Sequence, residues 1–96
     1  MTLTLFLATL EQATPPPELT PYLKSLWWDK KGNWQQAHNI IEHMGDATAA
    51  WVHAYLHRKE GDRGNARYWY NRAGKNMPEG PLELEWKDIV TTLAAA

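Results

Sequence analysis

Apolar residues recur at helical spacing along most of the chain, and no stretch sustains the period-two alternation of a half-buried strand. Leu19, Leu23, Leu26 and Trp27 make one stripe, and Leu82, Trp86, Ile89, Val90 and Leu93 make another. Between them, the segment from about Ala47 to Glu60 carries Ala47, Ala50, Trp51, Ala54 and Tyr55 on one side, with Val52 and Leu56 on the next. That arc exceeds the ~100° of an ordinary surface helix, so this helix is expected at the centre, contacted on several sides. Only a narrow strip of it stays polar: His53, His57 and Glu60.

Proline and glycine divide the pattern. Pro15, Pro16 and Pro17 end a first short helical segment, and Thr20-Pro21 reads as an N-cap followed by proline at the first helical position. Gly32-Asn33, Gly45-Asp46 and Gly61-Asp62 each read as a helix stop followed by the next N-cap. Met77-Pro78-Glu79-Gly80-Pro81 is the last break, with Pro81 opening the final helix.

An internal repeat orders these segments. WWDKKGNWQQAHNII (27–41) lies over LHRKEGDRGNARYWY (56–70) at an offset of 29, matching Lys30, Gly32 and Ala37 to Lys59, Gly61 and Ala66. At about 100° per residue, Ala66, Trp69, Tyr70 and Ala73 share one arc, and Tyr68 lies about 160° away from it. In the first copy Ala37, Ile40, Ile41 and Met44 fill the same arc, with the polar Asn39 in the place of Tyr68. Trp69 and Tyr70 are therefore expected in the core, and Tyr68 outside it beside Arg72 and Lys75.

Residues 21–78 resemble the tetratricopeptide repeat. A small residue in each first helix (Ser25, Ala54) precedes a Gly-Asn/Asp turn, an alanine (Ala37, Ala66) and a large apolar residue (Ile41, Tyr70) follow, and Ala73 and Pro78 fall where that repeat has Ala and Pro. Pro21 and Ala50 stand in place of its usual Trp, and the offset of 29 is shorter than the family's ~34. The resemblance implies helical hairpins more firmly than a regular superhelix. The string LWWDKKGNW…AH…AWVHAYLHRKEGD…NARYWYNRAG also resembles a group of short bacterial proteins, a likeness that brings no function with it.

Composition narrows the classes. A chain of 96 residues is one domain that buries roughly 60–65% of its unfolded surface. Six Trp and four Tyr supply much of its apolar area. With no cysteine there is no disulfide, thiolate site or thiol nucleophile, which fits a cytoplasmic location. The net charge of −1 argues against nucleic acid as partner. MTLTLFLATL lacks the basic start and small-residue cleavage site of an export signal, and no apolar run reaches the ~18 residues of a membrane span. Basic residues crowd 58–75 while Glu79, Glu83, Glu85 and Asp88 follow, so the acidic tail is expected near the basic segment.

The candidate chemistry is a histidine set. His53 and His57 are spaced i, i+4, which brings their Cβ atoms to roughly 5–6 Å, within chelating reach. If the helices flanking Gly45-Asp46 are antiparallel, residues whose numbers sum to about 91 lie level, and His38 with His53 satisfies that sum. His38, His53 and His57 are thus metal-ligand candidates, with Glu60 beside them. The plainer expectation for such a strip is a solvated face or a set of satisfied hydrogen bonds. The repeat aligns Trp28 with His57, so Trp28 is expected either to share a peptide groove with the histidines or to pack beneath the proline-rich segment. Tyr68 and Arg72 form a second patch of residue types common at binding hot spots.

No phosphate-binding glycine loop, HExxH or nucleophile elbow is present, no cofactor is implied, and nothing orders a catalytic group. The expected architecture is all-α, with five or six helices. A short N-terminal helix and the proline-rich segment occupy 1–20, antiparallel hairpins 21–45 and 47–76, and a capping or self-associating helix 81–95. The core is expected to hold Trp27, Ile40, Ile41, Trp51, Tyr55, Trp69, Tyr70 and Trp86. The expected role is protein–protein interaction, with a protein or peptide partner, no nucleic acid, no membrane and a homodimer as a further option. The contact residues would be Trp28, His53 and His57, then Tyr68 and Arg72. The alternative is a small-molecule or metal-binding protein, catalytic in some versions of that reading, that uses His38, His53, His57 and Glu60.

Overall fold

A computed structural model describes residues 1–95 as an all-α domain of six helices. They are α1 (Leu3–Thr9), α2 (Pro21–Lys30), α3 (Trp34–Ile41), α4 (Ala47–Glu60), α5 (Arg63–Ala73) and α6 (Leu82–Ala94). Side-chain caps start most of them. Thr20, Asn33, Asp46 and Asp62 each accept a backbone N–H three residues on, satisfying one donor that the first helical turn leaves free.

The helix stops divide into two kinds. Gly61 (φ 91°) and Gly74 (φ 71°) adopt the left-handed conformation just past α4 and α5. There the N–H of Asp62 reaches the carbonyl of His57 at 3.0 Å, and that of Lys75 reaches Tyr70 at 3.0 Å. Gly45 corrects the expectation of a glycine stop. It is not among the glycines with positive φ, and α3 has already ended at Ile41, closed by a tight turn from Met44 N–H to the Ile41 carbonyl.

The two hairpins, α2–α3 and α4–α5, supply the main helix contacts, and α3 against α4 joins them. Small residues permit the close approach. Ala37, Ala54 and Ala66 have no solvent exposure, and the buried Ser25 hydroxyl donates to the Ala37 carbonyl at 2.7 Å. Every residue of α4 from Ala49 to His57 is buried, because α2, α3, α5 and α6 cover it on all sides. The central place expected for this helix is therefore observed, and the burial extends to two histidines of its polar strip.

α6 packs on α1, α2 and α4. Trp86 anchors it, enclosed beside Phe6 (ring centroids 5.9 Å apart) and donating its indole N–H to the Leu26 carbonyl at 3.1 Å. Trp27 in turn donates to the Thr9 carbonyl, and Lys31 to those of Leu10 and Gln12, which fastens the N-terminal segment onto α2. Two expected core residues, Ile40 and Trp69, are only half-buried and line the edge of the core. The acidic tail meets the basic segment at one point, Arg58 with Glu85, whereas Glu83 pairs with Lys30. Among the described residues no helix is long and apolar enough to cross a membrane.

Candidate metal centre

α3 and α4 run antiparallel, and the three histidines meet between them. His38 projects from the middle of α3, while His53 and His57 lie one turn apart on α4. One ring nitrogen of each falls within 4.8 Å of the others. The closest approach is His38 Nε2 to His53 Nε2 at 3.1 Å. Ring centroids stand 4.8 Å apart for His38–His53 and His53–His57, and 5.2 Å for His38–His57. Tetrahedral zinc with Zn–N bonds of 2.0–2.1 Å needs N···N edges of about 3.3 Å, so the first pair already stands near ligand spacing.

Two tryptophans hold the rings. Trp34 stacks on His38 (4.9 Å, interplanar 10°) and presents its edge to His57, and its own N–H is committed to the Leu56 carbonyl at 2.8 Å. Trp69 stacks on His53 from the other side, with centroids 3.9 Å apart and planes within 16°. The half-burial of Trp69 follows from this duty, since it bridges the core edge and the histidine set.

Carboxylates stand outside the ring cluster. Glu60 Oε1 lies 2.5 Å from His57 Nδ1, which leaves Nε2 as the free nitrogen of that ring. An outer carboxylate on the second nitrogen is the arrangement that orients metal-bound imidazoles. Glu42 Oε2 approaches His38 Nδ1 to 3.3 Å without hydrogen-bond alignment, so that buried nitrogen is left without a partner. Asp62 also comes near His57 and Glu60, but both acids are exposed and Asp62 is already the cap of α5.

Burial, then the neighbouring His57 and His38, pushes the pKa of His53 down to about 4. Burial likewise lowers that of His38, against the opposing pull of Glu42. Both imidazoles are thus held neutral near pH 7, the protonation state a metal requires of its histidine ligands.

The other candidates lie elsewhere. Trp28 does not share a groove with the histidines. It is half-buried with its ring edge-on to Trp27 at 5.0 Å, and Trp34 takes the place beside His57 that the repeat alignment gave to Trp28. Of the plainer expectation, a solvated face or a set of satisfied hydrogen bonds, the solvated face is corrected, since His53 and His57 are 5% and 7% exposed. Hydrogen bonds do join His38 to His53 and His57 to Glu60. Tyr68 is 53% exposed, as the repeat suggested, and receives a hydrogen bond from Arg72, whose guanidinium also covers Trp69. Lys75 does not join that patch but lies over Trp51 at 4.2 Å.

A second polar cluster was foreseen only as the meeting of the acidic tail with the basic segment. Glu85, 4% exposed, accepts from the Tyr70 hydroxyl through both oxygens at 2.7 and 2.6 Å and from Arg58 at 2.9 Å. Asp29, 1% exposed, pairs with Lys59 at 2.9 Å and leaves Oδ2 unbonded. Burial and these carboxylates raise the pKa of Tyr55 and Tyr70, so both phenols stay protonated. The prior signal was the expected approach of the acidic tail to the basic 58–75 segment, which covers Arg58 with Glu85 but not the burial of Glu85 or the Asp29–Lys59 pair. The cluster joins α2, α4, α5 and α6, so its role here is structural.

No family model, no curated protein and no solved structure matches this chain.

Proposed function

We propose that the protein binds a divalent transition-metal ion of the zinc class through His38, His53 and His57. The observation that carries this reading is the convergence of three ring nitrogens within 4.8 Å, from two helices, with Glu60 on the outer nitrogen of His57. Two buried imidazoles and a half-buried one are a costly way to fill this seam, since apolar side chains there would carry no polar groups to satisfy. An all-nitrogen set suits zinc, cobalt, nickel or copper and disfavours calcium and magnesium, which take oxygen. Isothermal titration with zinc tests the proposal. One ion should bind per chain, and His53→Ala should abolish the heat while retaining the helical circular dichroism. Absence of binding heat together with an unshifted melting temperature in the unmodified protein would remove the proposal.

A second reading is protein–protein interaction, the role that the helical-repeat resemblance implies. It is favoured by the exposed Tyr68, stacked with Arg72 on the outer face of α5. Pull-down from the native cell with the unmodified protein and with Tyr68→Ala tests it. Identical captured partners would count against that face.

A further inference from the structure

We infer that a metal ion held by the three histidines keeps one coordination position for a small exogenous ligand, a water or a compact anion. This rests on the metal-binding reading above and adds the ion's reactivity to it. Among the described residues, the convergent set contains three donors, one short of the four that a closed structural zinc site requires. The neighbouring groups do not supply the fourth. Glu60 is engaged at Nδ1 of His57, and Glu42 lies 3.3 Å from Nδ1 of His38, so both carboxylates stand on the far side of the ring from Nε2. Trp34 has spent its N–H on the Leu56 carbonyl, and Trp69 offers its flat face to His53. A tetrahedral ion at this point therefore completes its shell from solvent.

Solvent reaches the set at His38, whose side chain is 15% exposed, whereas His53 and His57 are enclosed. The indoles of Trp34 and Trp69 lie flat against His38 and His53, so the ligand inferred for this position is one of a few atoms. Three neutral imidazoles leave the ion its full double charge, which favours an anion and acidifies a bound water to around neutrality.

The test uses the full-length protein loaded with cobalt(II), whose visible bands report coordination number and ligand exchange. Adding azide should shift and intensify those bands in a saturable way, and raising the pH through neutrality without azide should give a single inflection as the bound water loses a proton. His43→Ala should leave both responses unchanged, since His43 is 91% exposed and is the residue on which stray cobalt would sit. Cobalt bands that appear but ignore azide would overturn the open position while sparing the metal site. Failure to take up cobalt at all would overturn both. A response lost in His43→Ala would assign it to surface-bound cobalt and overturn the inference.

Discussion

The Nε2 atoms of His38 and His53 lie 3.1 Å apart although 15 residues separate them in the chain. The contact requires α3 and α4 to return along each other across a short turn, with Trp34 and Trp69 fixing the planes of the two rings. At that distance one nitrogen carries a proton and the other a lone pair, or a cation sits against both. Two protonated rings would repel at close range in a partly desolvated setting.

That relationship sets the dependence of stability on pH. His53 has a folded pKa pushed down to about 4 against an ordinary value of 6.5, and His38 moves the same way. Between those values the unfolded chain binds protons that the folded chain refuses, so stability is full above about pH 6.5 and falls as the pH drops toward 4. Glu83, held below its ordinary 4.5 by the hydrogen bond from Lys30, adds its loss only at lower pH. Urea unfolding across this range should show the midpoint falling below pH 6.5. A midpoint that is flat down to about pH 5 would contradict the buried neutral histidines.

The helix register predicts opposite outcomes at two positions of α5. Ala66 has no exposure, so Ala66→Leu overpacks the α4–α5 seam and should cost about 1–3 kcal/mol or more. Tyr68 is half in solvent, so Tyr68→Ala should change stability by no more than about 0.5 kcal/mol. Thermal unfolding of the two variants measures both, and a reversed order would place the wrong face of α5 in the core.

Much of this frame was legible in the chain. The caps Thr20, Asn33, Asp46 and Asp62 are local signals, and Ala37 and Ala66 mark close helix approach through the repeat. The level pairing of His38 with His53 followed from a short turn between antiparallel helices. The partners of the site were less legible because they depend on rotation about the helix axes. Trp69 read as a core residue and Trp34 carried no expectation, and periodicity alone does not say that each will lie flat on an imidazole. The burial of Asp29 and Glu85 was not legible, since only the packing of α6 over α2 and α4 encloses them. Of the two places offered for Trp28, the groove shared with the histidines is absent for a related reason: an offset of 29 equates positions in two hairpins that have different neighbours.

The enclosed Glu85 should be the most sensitive polar residue. Tyr70→Phe removes the single hydroxyl donor that the two Glu85 oxygens share and should cost about 1–3 kcal/mol. Glu85→Ala leaves Arg58 and Tyr70 both without their acceptor and should cost more, about 3–5 kcal/mol. Denaturant unfolding distinguishes the two, and equal small losses would show that the cluster is solvated in solution.

Glu60 should act on the ion only through His57. Glu60→Gln keeps all three ring nitrogens but weakens the orienting carboxylate, so zinc affinity should fall about 10–100-fold with stoichiometry unchanged. Competition against a chromophoric chelator measures this, and unaltered affinity would detach Glu60 from the site.

X-ray absorption at the zinc edge of the loaded protein tests the three-histidine centre most directly. The spectrum should show three imidazole nitrogens at about 2.0–2.1 Å with the outer-shell scattering of the rings, completed by one light atom. A first shell made of oxygens alone, or zinc lost on passage through a desalting column, would contradict it.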